Sequence, residues 1–479
     1  MRNVGSRHQD NRRRFGRVAT LIAFVITQPT PASANPEASI YDTRALAMGL
    51  TGITYLERPA ALVLNPANLE GIQRFGFGLS FTMLMVKSFA PVQGPNTKVT
   101  GPLALGPLPS IFLAGRVAPR MVFSAGVYFE AGFGGNYPDT VCIDGEVVGP
   151  PPDYTANTDP ETCINRTPED MRVAAFIGEA ALGTSIRVTD QFWLGIAIRL
   201  PFSTQVADLW SNIGAAFGTF RYERVKTDIG GVGFPSPRFG LTWKPHPKLT
   251  FAAMYRMYSR IKLSGTTTSA FLTELTGEEE LATVSEWNVP HMFQVGLSSQ
   301  VNDRLLLVLE YRMQFHAAKK SGNLSQPSTI RSSTQDLEVT SVAPFGWRNV
   351  WSIRPGVEYR FRNPLLAWRG GINFTVNATN PQWANFRSAP WGFGVSGMTG
   401  LGFYWDGKRA ADQFRLDVGL VLSGRRAQNG NGYIDRPGVV PGTNETVVVC
   451  SDNQVLQTGC PGRWGTTSFL ASLGFTLQY

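Results

Sequence analysis

Charge is scarce in this sequence. Asp, Glu, Lys and Arg make up 16 % of its 479 residues, where an ordinary soluble domain carries about a quarter. Cysteine and histidine are scarcer still. The four cysteines, Cys142, Cys163, Cys450 and Cys460, show no CxxC or CxH spacing, which excludes the common thiolate–imidazole metal sites. Beyond the first 34 residues the only histidines are His246, His291 and His316, and there is no GxSxG, so a Ser–His hydrolase has almost no material to work with. Long apolar runs are absent as well. After residue 34 no stretch of about 18 apolar residues occurs, which excludes a membrane-crossing helix but not a membrane sheet. No Lys/Arg stripe with interleaved aromatics is present, so nucleic acid is a poor partner. No metal and no cofactor is implied.

The formal charge of +9 is partly an N-terminal effect. Arg2, Arg7, Arg12, Arg13, Arg14 and Arg17 stand against Asp10 in residues 1–34, and setting these aside leaves 38 basic and 34 acidic side chains. This stretch reads as an export signal. A basic region ends at Arg17, an apolar core runs from Val18 to Thr27, and Ala32-Ser33-Ala34 offers small residues for cleavage. Arg12-Arg13 followed by Phe15 also resembles a twin-arginine signal, but that route carries folded proteins, so Sec-dependent export is expected. In an exported chain the cysteines, which lie in two polar loops, are expected to form disulfides. Cys142–Cys163 with Cys450–Cys460 is the simplest of three pairings, each bridge contributing about 3 kcal/mol.

What the sequence has in quantity is glycine, aromatic residues and two-residue alternation. From Phe469 to Tyr479 every odd position is apolar, and most even positions are small or polar. The same pattern recurs at Phe192–Phe202, Leu305–Phe315, Trp351–Phe361 and Phe414–Leu422, with Arg199, Glu310, Arg312, Arg354, Glu358, Arg360 and Asp417 on the alternate face. A soluble sandwich shows such alternation too. The strands, however, run about 10–15 residues, longer than soluble strands and long enough for tilted membrane strands. Short connections (Ala118-Pro119, Thr189-Asp190, Lys244 to Pro247, Asn302-Asp303, Arg362 to Pro364, Asp406 to Asp412) alternate with long ones near 90–108, 135–170, 207–232, 264–289, 317–347, 378–388 and 426–464. Short turns on one rim and long loops on the other mark an outer-membrane barrel. The fold class expected is therefore all-β: a transmembrane antiparallel β-barrel of about 14 strands. Residues 1–34 are the signal peptide, 35–73 an N-terminal plug (hatch) and 74–479 the barrel. A barrel of this width cannot fill itself with its own side chains, and 35–73 is the only spare segment. It ends in Asn65-Pro66-Ala67-Asn68, a turn in which Pro66 drives Asn65 out of the helical region.

The run Ala45-x-Ala47-Met48-Gly49-x-Thr51-Gly52, the Pro59-Ala60-Ala61 step and the closing Asn65-Pro66-Ala67 resemble the FadL/TodX family of outer-membrane transporters. Echoes at Pro237 to Leu241 and Asn288-Val289-Pro290 before Phe293-x-Val295-Gly296 point the same way. One departure is the polar start Asn35 to Ser39, where family members commonly carry a pattern that enters the ligand pocket. The resemblance implies passive uptake of hydrophobic compounds such as long-chain fatty acids or hydrocarbons, without enzymatic activity. The ligand is captured at apolar outer loops and released laterally through the wall. It also implies a monomer in the outer membrane of a Gram-negative bacterium, in contact with lipid and lipopolysaccharide. A general aqueous porin is the alternative, with an outer-membrane lipase or deacylase behind it. His316, at an outer strand end, is the histidine such an enzyme would use.

The apolar capture residues expected are Leu209, Ile213, Phe217 and Phe220, at helical spacing, and Phe271, Leu272 and Leu275 with Leu281. As a lid they would only pack on one another. Asn65, Pro66 and Ala67 are expected beside a wall opening, or are a plain turn; Pro355 and Gly132, Gly134 and Gly135 are further places where a wall could open. Arg256, Arg260 and Arg354 are candidates to bind a carboxylate. The competing expectation is that such charges pair with one another and hold barrel and plug together. Asn429 to Asp435 has part of a calcium loop but lacks the leading Asp and the terminal Glu, and reads as a turn.

Overall fold

The computed structural model describes residues 40–90, 99–141, 147–148, 169–212, 221–376, 378–383, 394–406, 413–425, 428–430, 437–439, 446–448 and 462–479. The expected signal peptide, all four cysteines, and Ile213, Phe217 and Phe220 lie outside them. Strands β1 (Phe75–Ala90), β2 (Ala104–Ala118), β3 (Met121–Val141), β4 (Glu169–Arg187) and β5 (Phe192–Asn212) form one antiparallel run. Three further staves are each made of two strands: β6 (Arg221–Val232) with β7 (Ser236–His246), β8 (Leu249–Arg256) with β9 (Ser259–Thr268), and β10 (Leu281–Val289) with β11 (Met292–Asn302). The circuit continues through β12 (Leu305–Gln314), followed by an outer hairpin, β13 (Ser325–Arg331) and β14 (Glu338–Pro344), that pairs with β10. It ends with β15 (Val350–Arg360), β16 (Leu366–Thr375), β17 (Gly394–Asp406), β18 (Gln413–Arg425) and β19 (Gly462–Gln478). Fourteen pairs from Gly76↔Gln478 to Phe89↔Gly465 join β1 to β19 and close a 14-stranded antiparallel barrel.

Closure follows from the alternation. Leu194, Ile196, Ile198 and Leu200 on β5, and Leu307 and Leu309 on β12, point outward and are exposed, while Trp193, Ala197, Arg199, Glu310 and Arg312 point inward and are buried. An apolar exterior around a polar, partly charged interior is the membrane-barrel arrangement.

The three two-part staves depart from a simple count. Their breaks lie side by side, at Gly233 to Pro235, Met257-Tyr258 and Pro290-His291. Pro235 and Pro290 have no N–H to give to a ladder; nothing in the Met257-Tyr258 pair itself accounts for the third break. Each break inverts the facing. On β8 the buried residues are Ala252, Met254 and Arg256, on β9 they are Ser259, Ile261 and Leu263, and the same inversion separates β10 (Thr283, Ser285, Trp287) from β11 (Met292, Gln294, Ser298). Because the strand repeat is two, one odd-numbered slip exchanges inside and outside. Below the breaks β7, β8 and β11 pair in order; above them β6, β9, β10 and the β13–β14 hairpin form the sheet. The long connections expected at 207–232 and 264–289 are therefore corrected: most of their length is strand, continuing the wall outward.

Residues 40–72 are almost entirely buried against the inner face of the ring. Helix α1 (Thr43–Ala47) starts at Asp42, whose side chain accepts from the Ala45 N–H. Gly49 (φ +84°) and Leu50 (φ +62°) turn the chain in the left-handed region. Helix α2 (Ala61–Leu64) and a 3-10 turn (Pro66–Gly71) follow. Among the described residues no helix is long and apolar enough to cross a membrane; helix α3 (Ala270–Thr276), between β9 and β10, has seven residues.

Candidate functional site: the inner segment and the two apolar hollows

The inner segment meets the wall in two places of different chemistry. On one side it is ionic. Arg44 forks onto Glu358 with bonds of 2.7 and 2.9 Å. Arg58 donates to Asp417 at 2.5 Å and lies 3.5 Å from Asp42. Arg369 joins the two acids, donating to Glu358 at 2.8 Å and to Asp417 at 2.6 Å. These groups are all buried, so each needs the other's charge. Further along, Glu310 accepts the N–H groups of Gly52 (2.7 Å) and Ile53 (2.9 Å), and Arg354 donates to the Leu50 carbonyl at 2.8 Å. Gly49 lies so close to the wall that a Cβ there would meet the Pro355 and Ile372 carbonyls at 2.8 and 3.0 Å. At that point the β15–β16 ladder skips two pairs, from Ile353↔Phe374 to Gly356↔Gly371, so Pro355 does interrupt the wall's hydrogen bonding.

On the other side Glu57 pairs with Lys244 at 2.5 Å and Glu70 with Arg116 and Arg187 at 2.9 and 2.8 Å, and between them the contact at the Asn65 turn is neutral and close. The Asn65 amide donates to the Ile53 carbonyl (2.8 Å), Thr242 Oγ1 (2.9 Å) and the Leu241 carbonyl (3.2 Å), while its oxygen accepts the Ala67 N–H at 3.1 Å. Thr242 in turn donates to Asn68 Oδ1 at 2.6 Å. Facing this turn are Gly195 on β5 and Gly240 on β7, which are direct ladder partners. A Cβ on Gly195 would overlap the Pro66–Ala67 peptide, and one on Gly240 the Asn65 side chain. Only main chain separates the turn from the outer surface here. That surface carries an apolar groove of about 420 Å³ lined by Leu194, Ile196, Phe239, Leu241, Tyr255 and Phe293.

A second hollow lies inside the outer half of the barrel, about 170 Å³, walled by Val173, Ala175, Leu209, Ile229 and Ile330. Its polar edge is a hydroxyl chain in which Thr227 and Thr267 are 3.0 Å apart and Thr283 donates to Thr267 at 2.8 Å. Leu209, expected on a loop helix, is in β5 and lines this hollow; the strand extension overrides the local spacing. Phe271, Leu272 and Leu275 do fall on a helix, α3, with Leu272 buried and Leu275 exposed.

The three candidate carboxylate binders part company. Arg256 is buried and ion-paired with Glu130, which also accepts the Tyr41 hydroxyl at 2.6 Å. Arg354 is buried and committed to Leu50 and Ser352. Arg260 does not face the lumen at all. The break at Met257-Tyr258 turns it outward, half-exposed and 3.5 Å from Glu286. His316 is buried against Trp347, their rings 5.1 Å apart, with Nδ1 3.4 Å from the Asn323 amide. Desolvation, with Arg256 and Arg312 nearby, pushes its pKa down to about 3, and among the described residues no serine hydroxyl is bonded to it. Sequence reasoning missed Asp42, Arg44 and Arg58, the last two with wall partners 314 and 359 positions away in the chain, and missed the Gly195–Gly240 pair, which glycine abundance hides.

No curated protein matches the chain by sequence. Solved structures match along nearly its whole length. A Pseudomonas aeruginosa FadL homologue aligns at TM-score 0.69 and 14 % identity, covering 93 % of this chain and 99 % of its own. The Ralstonia pickettii toluene transporter TbuX aligns at 0.63 and 16 %, covering 92 % and 98 %. The Pseudomonas putida toluene transporter TodX aligns at 0.58 and 14 %, covering 95 % and 100 %. At such identities the likeness is one of fold. The sequence profile described as outer membrane protein transport protein (OMPP1/FadL/TodX) matches residues 169–426, more than half of the sequence. On that match, and with the 14-stranded barrel it accompanies, the chain belongs to the OMPP1/FadL/TodX family of outer-membrane transport proteins.

Proposed function

We propose that the chain is a passive outer-membrane channel for small hydrophobic compounds, with residues 40–72 as its plug. The observation that carries this is a pair of hollows, an apolar one on the outer wall behind Asn65-Pro66-Ala67 and one inside the outer half of the barrel that is aliphatic on one side and hydroxyl-lined on the other. The inner hollow, at about 170 Å³, is close to the roughly 150 Å³ cavity that holds benzene in an engineered protein. It suits one small ring better than a long acyl chain, which is consistent with two solved neighbours being toluene transporters. Burial of such a ring is favourable at roughly 25 cal/mol per Å² of apolar surface. Leu272 and Leu275 on α3 lie toward the same outer end and are candidates for capture. Release goes sideways at Gly195–Gly240, where the Asn65 turn itself holds the wall by neutral contacts alone, between the Glu57–Lys244 and Glu70–Arg116/Arg187 ion pairs.

Uptake into liposomes carrying the purified protein tests this. Toluene is expected to enter faster than through protein-free vesicles, and a small sugar is not. If only the sugar passes, the channel is an aqueous porin and the proposal fails.

A further inference from the structure

The end of the barrel that carries the short turns holds a third hollow, of about 360 Å³ and mostly polar. Among the described residues five cationic side chains line it, Arg44, Lys244, Lys248, Arg360 and Arg415, against one carboxylate side chain, Glu57. Glu57 is taken by Lys244 at 2.5 Å. The acids behind the lining are also committed: Glu358 accepts Arg44 and Arg369, and Asp417 accepts Arg58 and Arg369. Arg360 reaches Glu358 only at 3.5 Å.

Among the described residues Arg415 has no acidic partner within ion-pair distance. Its guanidinium donates to the neutral Gln413 side chain, and its buried Nε has no hydrogen-bond partner. The guanidinium carbons of Arg360, Arg369 and Arg415 lie 5.5, 5.8 and 5.5 Å from the centre of a single ring, Tyr404. One ring's quadrupole offsets only a fraction of three positive charges. Partly buried cations in excess, in a hollow open to water on one side, attract and hold an anion. Guanidinium forks favour planar or tetrahedral oxyanions over a spherical ion.

We propose that this hollow is a binding site for a small oxyanion, a carboxylate or a phosphate, held by Arg415 with Arg360 and Lys248. The site is independent of the hydrophobic path, since its lining is polar and it lies at the opposite end of the barrel from the apolar inner hollow.

Isothermal titration of the full-length, detergent-solubilised protein tests it, with inorganic phosphate and succinate as probes and sodium chloride at equal ionic strength as the control. Saturable binding of either probe, weakened at least about tenfold in Arg415→Gln and partly restored in Arg415→Lys, supports the site; whichever probe binds more tightly identifies the source. Lys248→Gln, an exposed change without folding risk, is expected to weaken binding by a smaller factor. Heat from chloride equal to that from both probes, or unchanged binding in Arg415→Gln and Lys248→Gln, overturns it.

Discussion

The inner segment is attached to one wall by a connected chain of buried ions and to the facing wall by a neutral, close-packed turn set between separate ion pairs. At β15–β18 the contact is a chain of buried ions, Arg44–Glu358–Arg369–Asp417–Arg58, in which every member depends on its neighbours. At β5 and β7 the Asn65 turn offers a neutral amide and a pair of glycines, with separate ion pairs on either side of it, Glu57 with Lys244 and Glu70 with Arg116 and Arg187. A buried ion left without its partner carries a desolvation cost that no small movement relieves, whereas a neutral Asn–Thr hydrogen bond contributes only about 0.5–1.5 kcal/mol net. The same segment is thus held unequally along its length, and its neutral turn backs onto the apolar groove of the outer surface.

The comparison breaks most severely at Arg369. Arg369→Ala leaves both Glu358 and Asp417 a cation short. It is expected to cost about 3–5 kcal/mol, read as a lower urea midpoint for unfolding in lipid vesicles. A loss below 1 kcal/mol would mean that the ionic side is not the anchor. Gly240→Val drives a side chain into Asn65 and is expected to cost about 1–3 kcal/mol. It should speed hydrogen exchange in residues 61–71 while leaving 42–48 protected; equal loosening of both stretches would erase the distinction. Asn65→Ala is milder, at about 1–2 kcal/mol, with the same regional pattern of exchange.

The smallest effect belongs to a contact remote from both attachments. Glu278, next to α3, accepts the Ser332 hydroxyl (2.5 Å), the Thr334 hydroxyl (2.6 Å) and N–H (2.8 Å) and the Ser333 N–H (2.9 Å). These bonds, led by that from Ser332, lower its pKa to about 2 from an ordinary 4.5. A depressed carboxylate stabilises above its ordinary pKa and loses that contribution as pH falls through the lowered value. Exchange at residues 332–334, corrected for intrinsic rates, is expected to stay constant from pH 7 to 5 and to rise near pH 2. In Glu278→Gln it should be fast throughout, with the inner segment unaffected.

Most of the barrel was legible, because an outward apolar and inward polar face writes itself into every second residue. Fourteen strands, the short turns and the spare inner segment all follow from that pattern. Legibility stopped where the period itself is interrupted. Arg256 and Arg260, four apart, read as one face; the slip at Met257-Tyr258 puts them on opposite sides of the wall, and no residue there announces it. Pro235 and Pro290 are visible signals of interruption, but a single proline does not tell that neighbouring staves break at the same height. Leu209 read as helical because 209, 213, 217 and 220 share a spacing, a local cue that pairing of β5 with β6 overrides. The ionic contact was legible as a class, buried charges seeking partners, but not as a set, since Arg58 and Asp417 are separated by 359 positions.

The joint between β1 and β19 has a consequence for assembly. A cylinder sealed by strands nearly 400 positions apart cannot be sealed until almost the whole chain has reached the membrane. The 40–72 segment is continuous with β1, one edge of that joint. Contacts this distant in sequence form slowly, so the joint is expected to be the last part of the ring to close.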